Sequence, residues 1–207
     1  MKFRAVAPVL LFGLILFLPS SVSANTYTFT SSNFEPDANF GTVTTTLTDD
    51  GDISVVVQLT EGYVFHGAGF GFNVDGSTAG LTVTGYSALF TYPGGPGNLD
   101  GYGFFEFSVA GPSTSVAVAA NLNYLSFVVS RTIGFTDAGQ LAEFNDKDWL
   151  FAAQIAPLEG SKTGFVGADI ETTTPPDVPG VPEPASLVLL GTGLIGVGAK
   201  FKKRLLR

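Results

Sequence analysis

An all-β fold, an antiparallel β-sandwich of jelly-roll type, is what this 207-residue sequence predicts, and three features predict it. Apolar and polar residues alternate with a period of two over most of the central region, the pattern of half-buried strands. Gly (26 residues) and Pro (12) gather in clusters between the alternating runs, where they mark turns. Charged residues make up only 14% while Phe reaches 19, a composition unlike that of a helical bundle or a disordered polyampholyte.

Taken in order, Tyr27-Thr28-Phe29-Thr30 opens the series. Residues 42–48 and 53–59 are β-branched runs joined by Asp49-Asp50-Gly51-Asp52, a strong hairpin signal. In 63–74 the alternation of Tyr63 and Phe65 slips at Gly67-Ala68-Gly69 before resuming at Phe70, Phe72 and Val74. Such a slip predicts a bulge, placed where the strand changes sheet. Further strands are expected at 81–86, 102–109, 125–130, 149–155 and 164–170, with turns at 75–77, 93–98 and 111–113. Only 137–145 reads as a short helix, and Gly139 weakens it. About nine short strands with dense turns suit a sandwich, and no repeat of fixed period points to a propeller or solenoid. Phe29, Val55, Val57, Leu59, Phe70, Phe72, Phe105, Phe107, Phe127, Val129, Leu150 and Ile155 are the expected core. Burying each contributes about 1.5–3 kcal/mol, enough together for a domain that has no cysteine to cross-link.

The two ends read as addresses. Residues 1–24 have the three parts of a secretory signal peptide: Lys2 and Arg4, an apolar run over 5–18, and Val22-Ser23-Ala24 before the cut. The mature chain then starts at Asn25, and its β-sandwich domain spans 25–171. Residues 172–180 form a Thr/Pro linker, extended by its prolines. After it come Pro182-Glu183-Pro184, an apolar stretch over 185–199 and a basic end of Lys200, Lys202, Lys203, Arg204 and Arg207. As a helix the apolar stretch measures about 22 Å, short of a hydrocarbon core of about 30 Å, though lysine stems snorkel. The cations hold their end in the cytoplasm, so everything before the helix lies outside. A short transmembrane helix between an outside tripeptide and an inside stop suits transient insertion in the inner membrane followed by removal.

This three-part order over 181–207 resembles the PEP-CTERM sorting signal of Gram-negative bacteria. The resemblance rests on Pro182, Glu183 and Pro184, on the Gly-rich segment with Leu187, Leu189, Leu190, Leu194, Ile195 and Val197, and on the Lys/Arg cluster. It implies recognition of the tripeptide by a membrane-embedded exosortase and delivery to the cell surface or an exopolysaccharide matrix. Gly191, Gly193 and Gly196 also fit the dinucleotide fingerprint G-x-G-x-x-G, but that motif works only inside a βαβ unit with a downstream acid. Here only cations and apolar residues follow.

From 25 to 180 there are seventeen acidic against three basic residues, a net charge of −14. Such a surface repels phosphates, which excludes nucleic acid as a partner. The single His66 would need a nucleophile and a carboxylate at contact, and no G-x-S-x-G elbow supplies a serine; a structural role is expected, and no catalytic residue is assigned. Asp49, Asp50 and Asp52 offer oxygens to Ca²⁺, but the spacing is not that of an EF-hand and the hairpin turn accounts for each residue. Asn145-Asp146-Lys147-Asp148 reads the same way. Carboxylate pairs for glycoside hydrolysis are defined by distance in space, not by spacing along the chain. Tyr63, Tyr86, Tyr92, Tyr102, Tyr124 and Trp149 are the candidates for stacking on sugars. Tyr92 and Tyr102 flank the Pro-Gly loop and are expected to be the most exposed, with Trp149 completing the set. The expectation is therefore a non-enzymatic exported protein with a structural or adhesive role. The alternatives are a carbohydrate-binding module with a planar row of exposed aromatics, or a hydrolase with a cleft around His66.

Overall fold

The computed structural model describes residues 23–159 and 162–169. The signal-peptide, linker and C-terminal readings lie outside these residues. Twelve antiparallel strands follow one another: β1 (Ala24–Phe29), β2 (Ser31–Ser32), β3 (Gly41–Leu47), β4 (Ile53–Leu59), β5 (Tyr63–Phe72), β6 (Thr82–Thr84), β7 (Gly97–Leu99), β8 (Gly103–Phe105), β9 (Phe107–Val109), β10 (Tyr124–Ser130), β11 (Phe151–Pro157) and β12 (Gly164–Ala168). One α-helix, α1 (Thr114–Ala120), and a 3₁₀ turn at Ala138–Leu141 complete the described elements.

The first sheet has the order β1-β3-β4-β10-β6, the second β2-β12-β11-β5-β9, and β7–β8 form a separate ribbon. All pairings are antiparallel, so the all-β antiparallel expectation holds. The order, with hairpins β3–β4 and β11–β12 each kept inside one sheet, does not establish the jelly-roll subtype. The chain passes between sheets at Thr30, whose N–H donates to the Gly167 carbonyl of β12. The β3–β4 hairpin turns where Asp49-Asp50-Gly51-Asp52 predicts it. Gly51 takes φ 79°, a left-handed conformation that glycine adopts without steric cost.

The sheets face each other across one core, because every second strand residue is large and apolar. Phe70 of β5 stacks on Phe151 of β11 with centroids 5.6 Å apart and meets Phe127 of β10 at 5.9 Å and Phe29 of β1 at 6.5 Å. Such pairs add about 0.5–1.5 kcal/mol each beyond their buried area. All the expected core residues are buried except Phe107, which is half-buried against Phe72.

A second layer covers the outer face of the second sheet. Register places Gly167, Ala152, Gly71 and Ser108 in one row across β12, β11, β5 and β9. None of these has a long side chain, so the β7–β8 ribbon lies down on the row and buries Leu99, Tyr102 and Phe105 against Ala152. At the other end of the same face, α1 packs Ala117 on Val64 and Ala156.

Several expectations are corrected. The run 102–109 is two strands in different layers, broken at Glu106, whose N–H donates to the buried Asn73 Oδ1 at 2.8 Å. Gly97 and Asn98, the end of the turn expected at 93–98, belong instead to β7. The bulge in β5 is real: the register with β11 jumps from Phe65↔Ile155 to Phe70↔Ala153. The strand nonetheless stays in one sheet, because Gly67 bonds outward to Pro112 and Gly111 while Gln154 Oε1 accepts from the Ala68 N–H. The helix expected at 137–145 is a single 3₁₀ turn with an Asp137/Gln140 capping box. The α-helix lies instead at Thr114–Ala120, closed by a left-handed Asn121, in a segment whose alternating Val116 and Val118 hide it.

Candidate functional site

His66 sits at the β5 bulge, its Nδ1 2.9 Å from Thr114 Oγ1. Burial pushes its pKa below the ordinary imidazole range. A hollow of about 450 Å³ lies at the ends of β5 and β11, lined by Glu61, Gly62, Tyr63, Pro157, Leu158 and Glu159. His66 is not among its lining residues.

The two oxygen-rich clusters serve turns. Thr48 Oγ1 accepts from the Asp52 N–H at 3.1 Å, and the Gly51 carbonyl receives the Phe135 N–H at 2.6 Å. Asn145 Oδ1 accepts from the N–H groups of Lys147 (2.9 Å) and Trp149 (3.0 Å), while its Nδ2 donates to the Tyr102 carbonyl at 2.6 Å. Asp146 Oδ1 accepts from the Phe104 N–H at 3.2 Å. Among the described residues no group of three or more His, Asp or Glu side chains is placed to hold a metal.

That second cluster fixes an aromatic pair. Trp149 stands edge-on to Tyr102, centroids 4.8 Å apart at 67°, and the Tyr102 hydroxyl shares a hydrogen bond with Ser31 Oγ at 3.1 Å. Tyr102 is 4% exposed, which corrects the expectation that it faces solvent. Gly167 explains why: a Cβ there would collide with the Tyr102 ring and stand 2.7 Å from Trp149. Tyr92 packs half-buried against the main core. The pair is a clamp for the ribbon, and the planar row of aromatics is not formed by these residues. Among the described residues the exposed rings are Tyr86, Phe104, Tyr124 and Phe144.

One surface went unread. No Asp, Glu, Lys or Arg lies in any described strand; those among the described residues sit in turns and loops. Because Val43, Thr45, Val55, Val57, Leu125 and Phe127 point inward, their strand neighbours line the outer face of the first sheet. Register sets these in rows: Thr28–Thr42–Gln58–Tyr124, Thr26–Thr44–Val56–Ser126, and Thr46–Ser54–Val128–Thr84. The Thr26 and Thr44 hydroxyls are 3.3 Å apart, as are those of Ser87 and Ser126 beside them. The signal was present in the sequence as threonine at every second position of 42–46 with no charge to interrupt it.

The apolar and basic tail lies outside the described residues, and among those no helix is long and apolar enough to cross a membrane. Comparison decides what the tail is: residues 180–204 match the family model of the PEP-CTERM protein-sorting motif. The C-terminal segment is a PEP-CTERM motif. The match contains Pro182, Glu183 and Pro184, the apolar stretch and the first four cations of the basic end. A PEP-CTERM segment implies export, sorting through the membrane toward the cell surface, and processing by an exosortase-type system. No curated protein and no solved structure matches the chain.

Proposed function

We propose that this chain is a non-enzymatic β-sandwich protein with a structural or adhesive role in the extracellular polysaccharide matrix, delivered there by an exosortase. The PEP-CTERM match at 180–204 carries the reading. Residues 1–24 act as a signal peptide whose removal leaves Asn25 first, inside β1, so the cut falls at the margin of the folded body. The short helix over 185–199 anchors the chain transiently in the inner membrane, with Lys200, Lys202, Lys203 and Arg204 inside, while 172–180 spaces the sandwich from the bilayer. The reading needs no catalytic residue, metal or cofactor.

Glu183 is the one charged residue of the tripeptide. Replacing it with Ala is expected to leave unprocessed chain in the inner-membrane fraction, followed by pulse-chase and fractionation. Maturation at the normal rate would overturn the proposal. A second reading, a carbohydrate-binding module for exopolysaccharide, is favoured by the uncharged, hydroxyl-lined outer face of the first sheet.

A further inference from the structure

The outer face of the first sheet is unusual for a body carrying −14 between residues 25 and 180. A solvated sheet face ordinarily carries the charge that keeps the protein soluble and discourages association. Here the charge is at the two ends of the face. Asp49, Asp50 and Asp52 form the β3–β4 turn at one end, and Glu61 follows β4 at the other. Between these acidic rims lies a grid of hydroxyl, amide and small apolar groups, about 4.8 Å apart from strand to strand and about 6.8 Å apart along each strand. The elements outside the two sheets pack elsewhere: α1 and the β7–β8 ribbon on the second sheet, and the 3₁₀ turn against the inward residues Asn25 and Tyr27. Tyr124, 43% exposed, ends the row that holds Thr42 and Gln58.

We propose that this face binds a neutral polysaccharide chain, with the Tyr124 ring stacking on a sugar face and Thr42, Gln58 and Ser126 bonding its hydroxyls. The proposal rests on the matrix reading above and gives it a site and a ligand class. Charge decides the class. An anionic polymer would lie between two acidic rims, and a second copy of this chain set face to face would bring its own rims against them. A neutral, hydroxyl-rich polymer meets neither penalty. Each hydrogen bond exchanged with water contributes little, so binding per domain is weak and retention on a long polymer comes from many contacts in parallel.

The test is affinity electrophoresis of the full-length chain in a detergent without a sugar headgroup, through gels containing dextran, galactomannan or alginate. Val56→Glu places a charge in the middle of the grid, Tyr124→Ala removes the ring, and Phe104→Ala removes an exposed ring elsewhere. Thermal melts confirm that each variant is folded. Retardation by a neutral polymer and not by alginate is expected, weakened at least tenfold by Val56→Glu and by Tyr124→Ala and unchanged in Phe104→Ala. Retardation that survives both face variants overturns the site while leaving the matrix reading intact. No retardation by either neutral polymer overturns the ligand class, and the matrix reading then stands or falls on where the mature protein fractionates. Retardation by alginate alone, or self-association abolished by Val56→Glu, overturns the proposal in favour of the other occupant.

Discussion

Gly71→Ala tests how the β7–β8 ribbon is seated on the second sheet. A Cβ at position 71 would stand 2.8 Å from Leu99 Cδ1 and 2.8 Å from Phe105 Cγ. Both side chains are 0% exposed, so neither can swing into solvent. Overpacking a closed site costs about 1–3 kcal/mol. Alanine returns about 0.4–1 kcal/mol by restricting the unfolded chain, for a net loss of about 0.5–2 kcal/mol. At about 2–4 °C per kcal/mol for a domain of this size, Tm should fall by about 1–8 °C, read by circular dichroism with urea midpoints as a second measure. Gly95→Ala is the matched control: nothing lies within 4 Å of its added Cβ, so Tm should hold or rise slightly. Leu99→Ala removes one of the two contacts, opens space into which the Phe105 ring can yield, and itself costs about 2–5 kcal/mol, so in that background Gly71→Ala should cost little. The cycle should therefore show a coupling close to that net loss, about 0.5–2 kcal/mol. An unchanged or higher Tm for Gly71→Ala alone, or additive losses in the double variant, would refute the seating of the ribbon.

Two further predictions concern pH. Burial lowers the His66 pKa, so the unfolded chain binds its proton more readily; stability should be full above the unfolded imidazole pKa of about 6.5 and decline as pH falls through it. His66→Gln should flatten that part of the curve of urea midpoint against pH, and an unaltered curve would exclude His66 as its source. Glu143 is raised by partial burial and then by the Asp75 and Glu106 carboxylates. The sign is opposite, with stability lost as pH rises through its folded pKa, so Glu143→Gln should raise the midpoint at pH 7. The gain should be under about 0.5 kcal/mol because solvent screens the site, and it should vanish at pH 3.

What could be read from the sequence was local. The β3–β4 hairpin follows from Asp-Gly turn chemistry at 49–52, and the β5 bulge from a slip in alternation at Gly67-Ala68-Gly69. What could not be read depends on which strand lies beside which. Gly71, Ala152 and Gly167 are far apart in sequence, and only the register puts them in one row that a ribbon can cover. Small residues at outward strand positions were the available sign that Tyr102 and Phe105 would be buried above them. The α1 segment carries two valines at alternate positions and no charge, so its periodicity argues for a strand. Packing of Ala117 on Val64 and Ala156 decides for helix.

The segregation of charge also bears on how the sandwich avoids aggregating. Edge strands usually carry lysine or an inward charge to discourage pairing with another chain, and no strand among the described residues carries either. The edges differ in length instead. β2 has two residues and β6 and β9 three each, which leaves β1, with six, as the only long edge of the two sheets among the described residues. β1 lies beside the 3₁₀ turn that Asp137 caps, and its neighbour β3 leads into the turn holding Asp49, Asp50 and Asp52. Acidic loops thus guard by repulsion at a distance what the strands do not guard by their own side chains. Repulsion of this kind is screened beyond about 8 Å at physiological salt, so it acts on an approaching copy that carries the same loops while leaving an uncharged polymer free to reach the sheet.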